Sequence, residues 1–324
     1  MLRFQKARWS LQKSSSEMIN VYEAEAANKR KSALIIALFV VFVAIAVYVL
    51  ASAFAVYSGY EPGGLGFVGL ALIISGILSW GSYYFSDRIV LSISKARPAD
   101  RKKDFTFYTV SENLAIAAGI PKPKLYVIED SAPNAFATGR DPKHAVVCAT
   151  TGLIDKLSRT ELEGVIAHEL SHIRNYDTRL QSLVAVMVGM IALLGDWFLR
   201  MRWGGRRDDR GGNIAAVILV LGLLFAILSP IIAQVIQLAI SRRREFMADA
   251  GSVGLTRQPS GLIDALEKIS ADTEPLEAAN KATAHLYIVN PFRRKTGRAV
   301  EWMSSLFNTH PPVLERIRIL KEMI

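Results

Sequence analysis

SALIIALFVVFVAIAVYVLASAFAVY, residues 32–57, contains no charged side chain. It exceeds the roughly 20 apolar residues an α-helix needs to cross a hydrocarbon core. Buried core helices rarely run so far without a charge, so the stretch predicts a membrane span. A second uncharged run, PGGLGFVGLALIISGILSWGSYYF at 62–85, ends on Trp80, Tyr83 and Tyr84, ring types that favour the headgroup layer. Two further apolar runs follow. LQSLVAVMVGMIALLGDWFL (180–199) holds Asp196, and NIAAVILVLGLLFAILSPIIAQVIQLAI (213–240) holds Pro230, which lacks an N–H and kinks a helix. The expected frame is a mainly α integral membrane protein with four hydrophobic helices in two hairpins, set in a lipid bilayer. A hydrophobic share of 51% and a mean hydropathy of +0.25 agree with it.

The formal charge is +10, and its distribution speaks for membrane flanks rather than for a nucleic-acid surface. Arg3, Lys6, Arg8, Lys13, Lys29, Arg30 and Lys31 precede the first run, while Arg88, Lys95, Arg97, Arg101, Lys102 and Lys103 follow the second. The intervening SGYEP has neither Lys nor Arg. Retention of Lys and Arg on the cytoplasmic side puts both flanks inside and SGYEP outside. The second hairpin breaks this rule, because its tip, RMRWGGRRDDRGG at 200–212, carries five arginines. Either the tip is translocated regardless, or the hairpin enters the membrane without emerging. The basic lead-in, with Leu2, Phe4 and Trp9 as anchors, reads as interfacial. The lone Cys148 lies in the apolar AVVCAT and reads as a buried, inert thiol.

The organisation expected from these shifts is a basic extension (1–31), a transmembrane hairpin (32–85), a first cytosolic part (86–179), a second hydrophobic hairpin (180–240) and a second cytosolic part (241–324). The first cytosolic part reads as a small α+β unit. TFYTVSENLAIAAGI is a helix ended by Gly119 and Pro121. LYVIED (125–130) and HAVVCAT (144–150) are strands by their β-branched content, and SAPNAFATGRDPK between them is loop and edge-like. SRTELEGVIAHELSHIRNYD opens with Ser158 and Glu161, a capping box. With no proline between Pro142 and Pro230, one helix is expected to run from about Arg159 into the third hydrophobic run. SRRREFMADAGSVGL, GLIDALEKIS and PPVLERIRILKEMI read as later helices.

The chemistry resides in the helix around AHELSH. His168 and His172 are spaced i, i+4 and share a face. Two imidazoles so placed can hold one Zn²⁺ at about 2.0–2.1 Å, with Glu169 beside them to take a proton from water. A catalytic zinc needs a third protein ligand. Glu245 and Asp249 also stand i, i+4, so one can ligate while the other accepts a hydrogen bond from a ligand histidine. An ion pair with Arg242 or Arg244 is the alternative use of Glu245. Because one motif precedes the second hairpin and the other follows it, the hairpin returns both helices to one side.

HELSHIRNYD, a hydrophobic hairpin and then SRRREFMADA closely resemble the HtpX heat-shock membrane proteases, relatives of the CAAX prenyl endopeptidases. SAPNAFATG (131–139) and THPPVLERI (309–317) are similar to further signatures of that family. The resemblance implies a zincin-like (gluzincin) protease domain and a zinc endopeptidase of the bacterial cytoplasmic membrane. Its active site would face the cytosol, with damaged or misassembled membrane proteins as substrates. It implies Glu245 as third ligand and Asp249 as its neighbour's hydrogen-bond partner. It also points to Asn134, Ala135, Phe136 and Ala137 as an edge strand pairing with an extended substrate, and to His310, stiffened by two prolines, as an oxyanion donor. Core packing is the other use open to Phe136, and for Arg316 pairing with an acid near the site and plain surface exposure both stand open. His144 and His285 read as structural or exposed. A zinc-holding membrane scaffold without proteolysis is the competing class. Structural zinc sites usually have four ligands rich in Cys, and no cysteine cluster exists here.

Overall fold

The computed structural model describes residues 65–186, 242–279, 283–289 and 311–323, with scattered positions from 30 to 52. The expected span at 213–240 with Pro230, most of that at 180–199, part of that at 32–57, Asp196, the arginine-rich tip and His310 lie outside these residues. Among the described residues no helix is long and apolar enough to cross a membrane.

Helix α1 (Leu65–Tyr84) covers most of the second apolar run. Leu72, Ile73, Ile77 and Trp80 are all more than half exposed on it. After α2 (Ser86–Ile93) the chain enters a mixed unit. Strand β1 (Arg97–Pro98), helix α3 (Phe105–Ala118), β2 (Lys124–Ile128), β3 (Ala135–Thr138) and β4 (Val146–Thr150) come first. Helices α4 (Thr151–Lys156) and α5 (Arg159–Arg174) follow, and α6 runs from 177 as far as described, to 186. Beyond the second hydrophobic region lie α7 (Arg242–Thr256), α8 (Pro259–Ala271) and α9 (Val313–Lys321). Gly119 ends α3 in the left-handed region at φ 67°, the position where glycine carries no Cβ penalty.

The sheet order is β1-β2-β4-β3, with β2 and β4 parallel and both outer pairings antiparallel. All five residues of β4 are buried, as befits a strand covered on both faces. Helix α5 lies across the sheet and packs against α3, α7 and α8. It is buried almost all round from Gly164 to Ile173, so His168, Glu169 and His172 have no wet face. Its start carries the capping box: Ser158 accepts from the Glu161 N–H, and the Glu161 carboxylate accepts from the Ser158 N–H. Helices α5 and α8 cross at backbone contact. A Cβ on Gly164 would stand 2.6 Å from the Leu262 nitrogen, and one on Gly261 2.6 Å from the Thr160 carbonyl oxygen.

The expected continuous helix from Arg159 into the third hydrophobic run is corrected. The helix stops at Arg174, and Tyr176 takes φ +60° before α6 starts at 177. A left-handed residue cannot propagate an α-helix, and for a non-glycine it costs on the order of 1 kcal/mol or more.

Candidate metal centre

Helix α5 delivers His168, Glu169 and His172, and α7 delivers Glu245 and Asp249. Small residues bring the two helices together. Ser252 donates its hydroxyl to the Gly164 carbonyl at 2.7 Å, and Gly251 leaves room for the Ser171 hydroxyl. His168 and His172 face each other Nε2 to Nε2 at 3.2 Å. Glu245 Oε2 lies 3.7 Å from the first nitrogen and Oε1 3.6 Å from the second. Tetrahedral ligands about 2.0–2.1 Å from one centre stand about 3.3 Å from one another. The three side chains therefore have the spread of a metal-ligand set, and they form one group able to hold an ion.

Charge argues the same way. Around this point Glu169, Asp177, Glu245 and Asp249 are at most 2% exposed, facing the guanidiniums of Arg244 and Arg316 at 8% and 0%. Four buried carboxylates thus face two buried guanidiniums, with Lys31 close enough to Asp177 to feel its charge, and a cation held among the carboxylates eases their mutual repulsion. Buried charge without compensation is strongly unfavourable.

Each histidine has its other nitrogen held. His168 Nδ1 lies 3.0 Å from Asp249 Oδ1, and His172 Nδ1 lies 3.0 Å from Asp177 Oδ2. Arg316 grips Asp249 at 2.9 Å through Nε and 2.6 Å through Nη2, and also donates to the Ile288 carbonyl at 3.3 Å. Burial, with the Arg316 charge, pushes His168 down to about 4; a neutral imidazole is the ligating form. Burial also works against a charged His172, yet Glu245, Asp177 and Glu169 outweigh it and raise the ring to about 9. Burial works against a charged Asp249 too, but Arg316 and His168 hold its carboxyl down at about 2.

The sequence-predicted residues divide accordingly. His168, His172, Glu169, Glu245 and Asp249 converge. Glu245 reaches both histidines, and Arg244 lies 3.6 Å from Asp177. Of the four residues assigned to substrate, Ala135–Ala137 sit on β3, an edge strand with Asn134 just before it. Phe136 is fully buried, packing edge-on against Tyr287 at 5.1 Å. Its side chain is core, not a contact surface. Asn134 is also buried and donates to the Val289 carbonyl at 3.0 Å. Part of the outward edge is already used: the Ile288 N–H donates to the Ala135 carbonyl, and the Gly139 N–H donates to the Ser182 hydroxyl. His285 is buried and donates to the Gln181 carbonyl at 3.1 Å, while His144 is half-exposed against Asp141.

Three participants went unread or unresolved in the sequence. Asp177 stands five residues after His172, the wrong face of an unbroken helix. The sequence offers Arg244 only as an ion-pair partner open to Glu245, not as a neighbour of Asp177. Arg316 carried a usable signal, since Val313, Ile317 and Leu320 form an apolar stripe into which position 316 falls.

A His-Glu-x-x-His helix meeting a carboxylate-bearing helix over a mixed sheet defines a metallopeptidase. Residues 102–324 match Peptidase family M48, and the chain belongs to that family; it is a metalloendopeptidase. The zinc-holding scaffold without proteolysis gives way to this result. Proteins named protease HtpX homolog are similar over nearly the whole length. The one from Caldanaerobacter subterraneus subsp. tengcongensis is 44% identical, covering 94% of this chain and 98% of that protein. The one from Dictyoglomus thermophilum is 47% identical, covering 93% and 94%. The one from Streptococcus uberis is 41% identical, covering 94% and 100%. Among solved structures, S. mikatae Ste24p aligns at 17% identity with a TM-score of 0.46, over 86% of this chain and 62% of that longer one.

Proposed function

We propose that this chain is a zinc-dependent endopeptidase of the bacterial cytoplasmic membrane. It cleaves misfolded or damaged membrane proteins on the cytosolic side. The observation that carries the chemistry is the convergence of His168, His172 and Glu245 with Glu169 on the same buried helix. The donor set of two imidazoles and one carboxylate, without a thiolate, suits Zn²⁺. When bound, the ion supplies Lewis acidity to the peptide carbonyl and to water.

The protein's own groups do the rest. His168, His172 and Glu245 hold the ion, and Asp249 fixes the His168 ring through Nδ1. Glu169 takes the proton of the attacking water and passes it to the leaving amine. His310, outside the described residues, donates to the carbonyl oxygen as it gains charge.

An extended substrate pairs with the outward edge of β3. Alternate residues of a strand direct their N–H and C=O to the same side. With the Ala135 carbonyl and Gly139 N–H engaged, Ala137 is the position that receives the substrate backbone. A cavity of about 540 Å³ beside the start of β3, walled by Pro133, Ile269, Leu276, Val289, Pro312 and Leu314, suits an apolar substrate side chain. Support for the membrane setting comes from the uncharged runs, from the basic flanks of the first hairpin and from the apolar face of α1 turned outward.

Replacing Glu169 with Gln tests the mechanism. Turnover of a model membrane protein is expected to fall by about 10²–10⁴, with metal content by elemental analysis unchanged. Turnover at the wild-type rate would remove Glu169 from the reaction.

A further inference from the structure

Asp177 and the turn that carries it have no place in the His-Glu-x-x-His pattern. On a continuous α-helix, position i+5 lies about 140° around the axis from position i, so an aspartate at 177 would face away from His172. The observed chain does otherwise. It leaves the helix after Arg174, places Tyr176 at φ +60° and starts α6 with Asp177. The carboxylate thereby folds back to 3.0 Å from His172 Nδ1. Tyrosine in the left-handed region is locally unfavourable, and such strain persists where the surroundings over-determine it.

What the turn achieves is a second buried support built like the first. Asp249 holds His168 Nδ1 and is gripped by Arg316; Asp177 holds His172 Nδ1 and has Arg244 Nη1 at 3.6 Å. Asp177 is 1% exposed and Arg244 8%. Arg244 directly precedes the third donor, Glu245, so the support spans the stems of both helices that supply donors. In its neutral, ligating form, a histidine whose Nδ1–H is taken by a carboxylate presents Nε2 as a lone pair, and that nitrogen faces His168 and Glu245.

We infer that Asp177, turned back by the left-handed Tyr176 and backed by Arg244, is a positioning residue that sets the orientation and tautomer of His172 for metal binding. This rests on the metal site proposed above. A purely architectural role, as first residue of α6, would affect the stability of the fold and leave metal affinity alone.

The test uses the full chain purified in detergent, with Zn²⁺ affinity measured by chelator competition and the visible spectrum recorded after cobalt substitution. Asp177→Ala is expected to lose 10- to 100-fold in affinity and to change the cobalt spectrum. Asp177→Asn, which keeps an acceptor but not the charge, is expected to lose less. Tyr176→Gly, which enters the left-handed region freely, is expected to bind as wild type. Tyr176→Val, whose branched Cβ resists that region, is expected to lose affinity as Asp177→Ala does. Should Asp177→Ala fail to fold, the Asp177→Asn and Tyr176 pair carries the decision. Affinity and cobalt spectrum unchanged in Asp177→Asn and Tyr176→Val would overturn the inference while leaving the metal site standing. Absence of metal uptake by the wild type, matched by His172→Ala, would instead overturn the metal site.

Discussion

Among the described residues Arg316 is the largest side chain with no solvent exposure, and its value lies in what it neutralises. Removing it leaves Asp249 charged and buried, a situation that costs about 3–5 kcal/mol. Arg316→Met is therefore expected to destabilise the chelator-treated protein by about that amount in denaturant titrations. Asp249→Asn in the same chain should restore part of the loss, because the uncompensated charge is gone. A double variant no more stable than Arg316→Met would show that the guanidinium acts chiefly through the Ile288 carbonyl. Residue identity and short spacing made His168, Glu169 and His172 legible in the sequence, since one helical turn fixes their relation. Glu245 with Asp249 was legible as a pair; spacing left open which carboxylate ligates, the resemblance implied Glu245, and the distances across two helices bring Glu245 to both Nε2 atoms. Asp177 was hidden because its contact depends on a turn that no glycine or proline announces.

At the scale of elements, the crossing of α5 and α8 depends on absent side chains. Gly164→Ala forces a methyl group against the Leu262 backbone, which cannot swing aside as a side chain would. A cost of about 1–3 kcal/mol is expected, as for other overpacked cores, read as a lowered melting temperature. Ser158→Ala removes the cap of α5 and should cost about 1 kcal/mol. The cap was readable because Ser158 and Glu161 interact within one turn, as were α3 and its glycine stop. The sheet was less readable. Strands β2 and β4 announced themselves by composition, whereas their parallel pairing and the two-residue β1 depend on contacts distant in sequence. The uninterrupted helix failed because propensity alone favoured it, and the bonding of His172 to Asp177 overrode that preference.

For the molecule as a whole, two dependences follow from charge. Stripping the metal leaves the buried carboxylates in excess, so the apo protein should melt lower. At a free metal concentration 100 times the dissociation constant, the bound form gains about 2.7 kcal/mol, which scanning calorimetry with and without chelator would reveal. Acid acts elsewhere. Arg97 on β1 binds Asp104 through two hydrogen bonds of 2.7 and 3.0 Å at the start of α3, joining that helix to the edge of the sheet. The guanidinium holds the Asp104 carboxyl below its usual range. The contribution is thus present above the ordinary carboxylate range and lost as pH falls through the lower folded value. Asp104→Asn is expected to flatten the acid limb of a stability–pH curve while lowering stability at neutral pH.

Cys148 lies on β4 between Tyr126 and Phe136, fully enclosed, and burial raises its thiol well above the ordinary range. Sulfhydryl reagents react with thiolate that they can reach, so the wild-type protein is effectively silent to maleimides while folded. Any single cysteine introduced on its surface becomes a unique attachment point for a spin label, fluorophore or photo-crosslinker, without first engineering the native residue away.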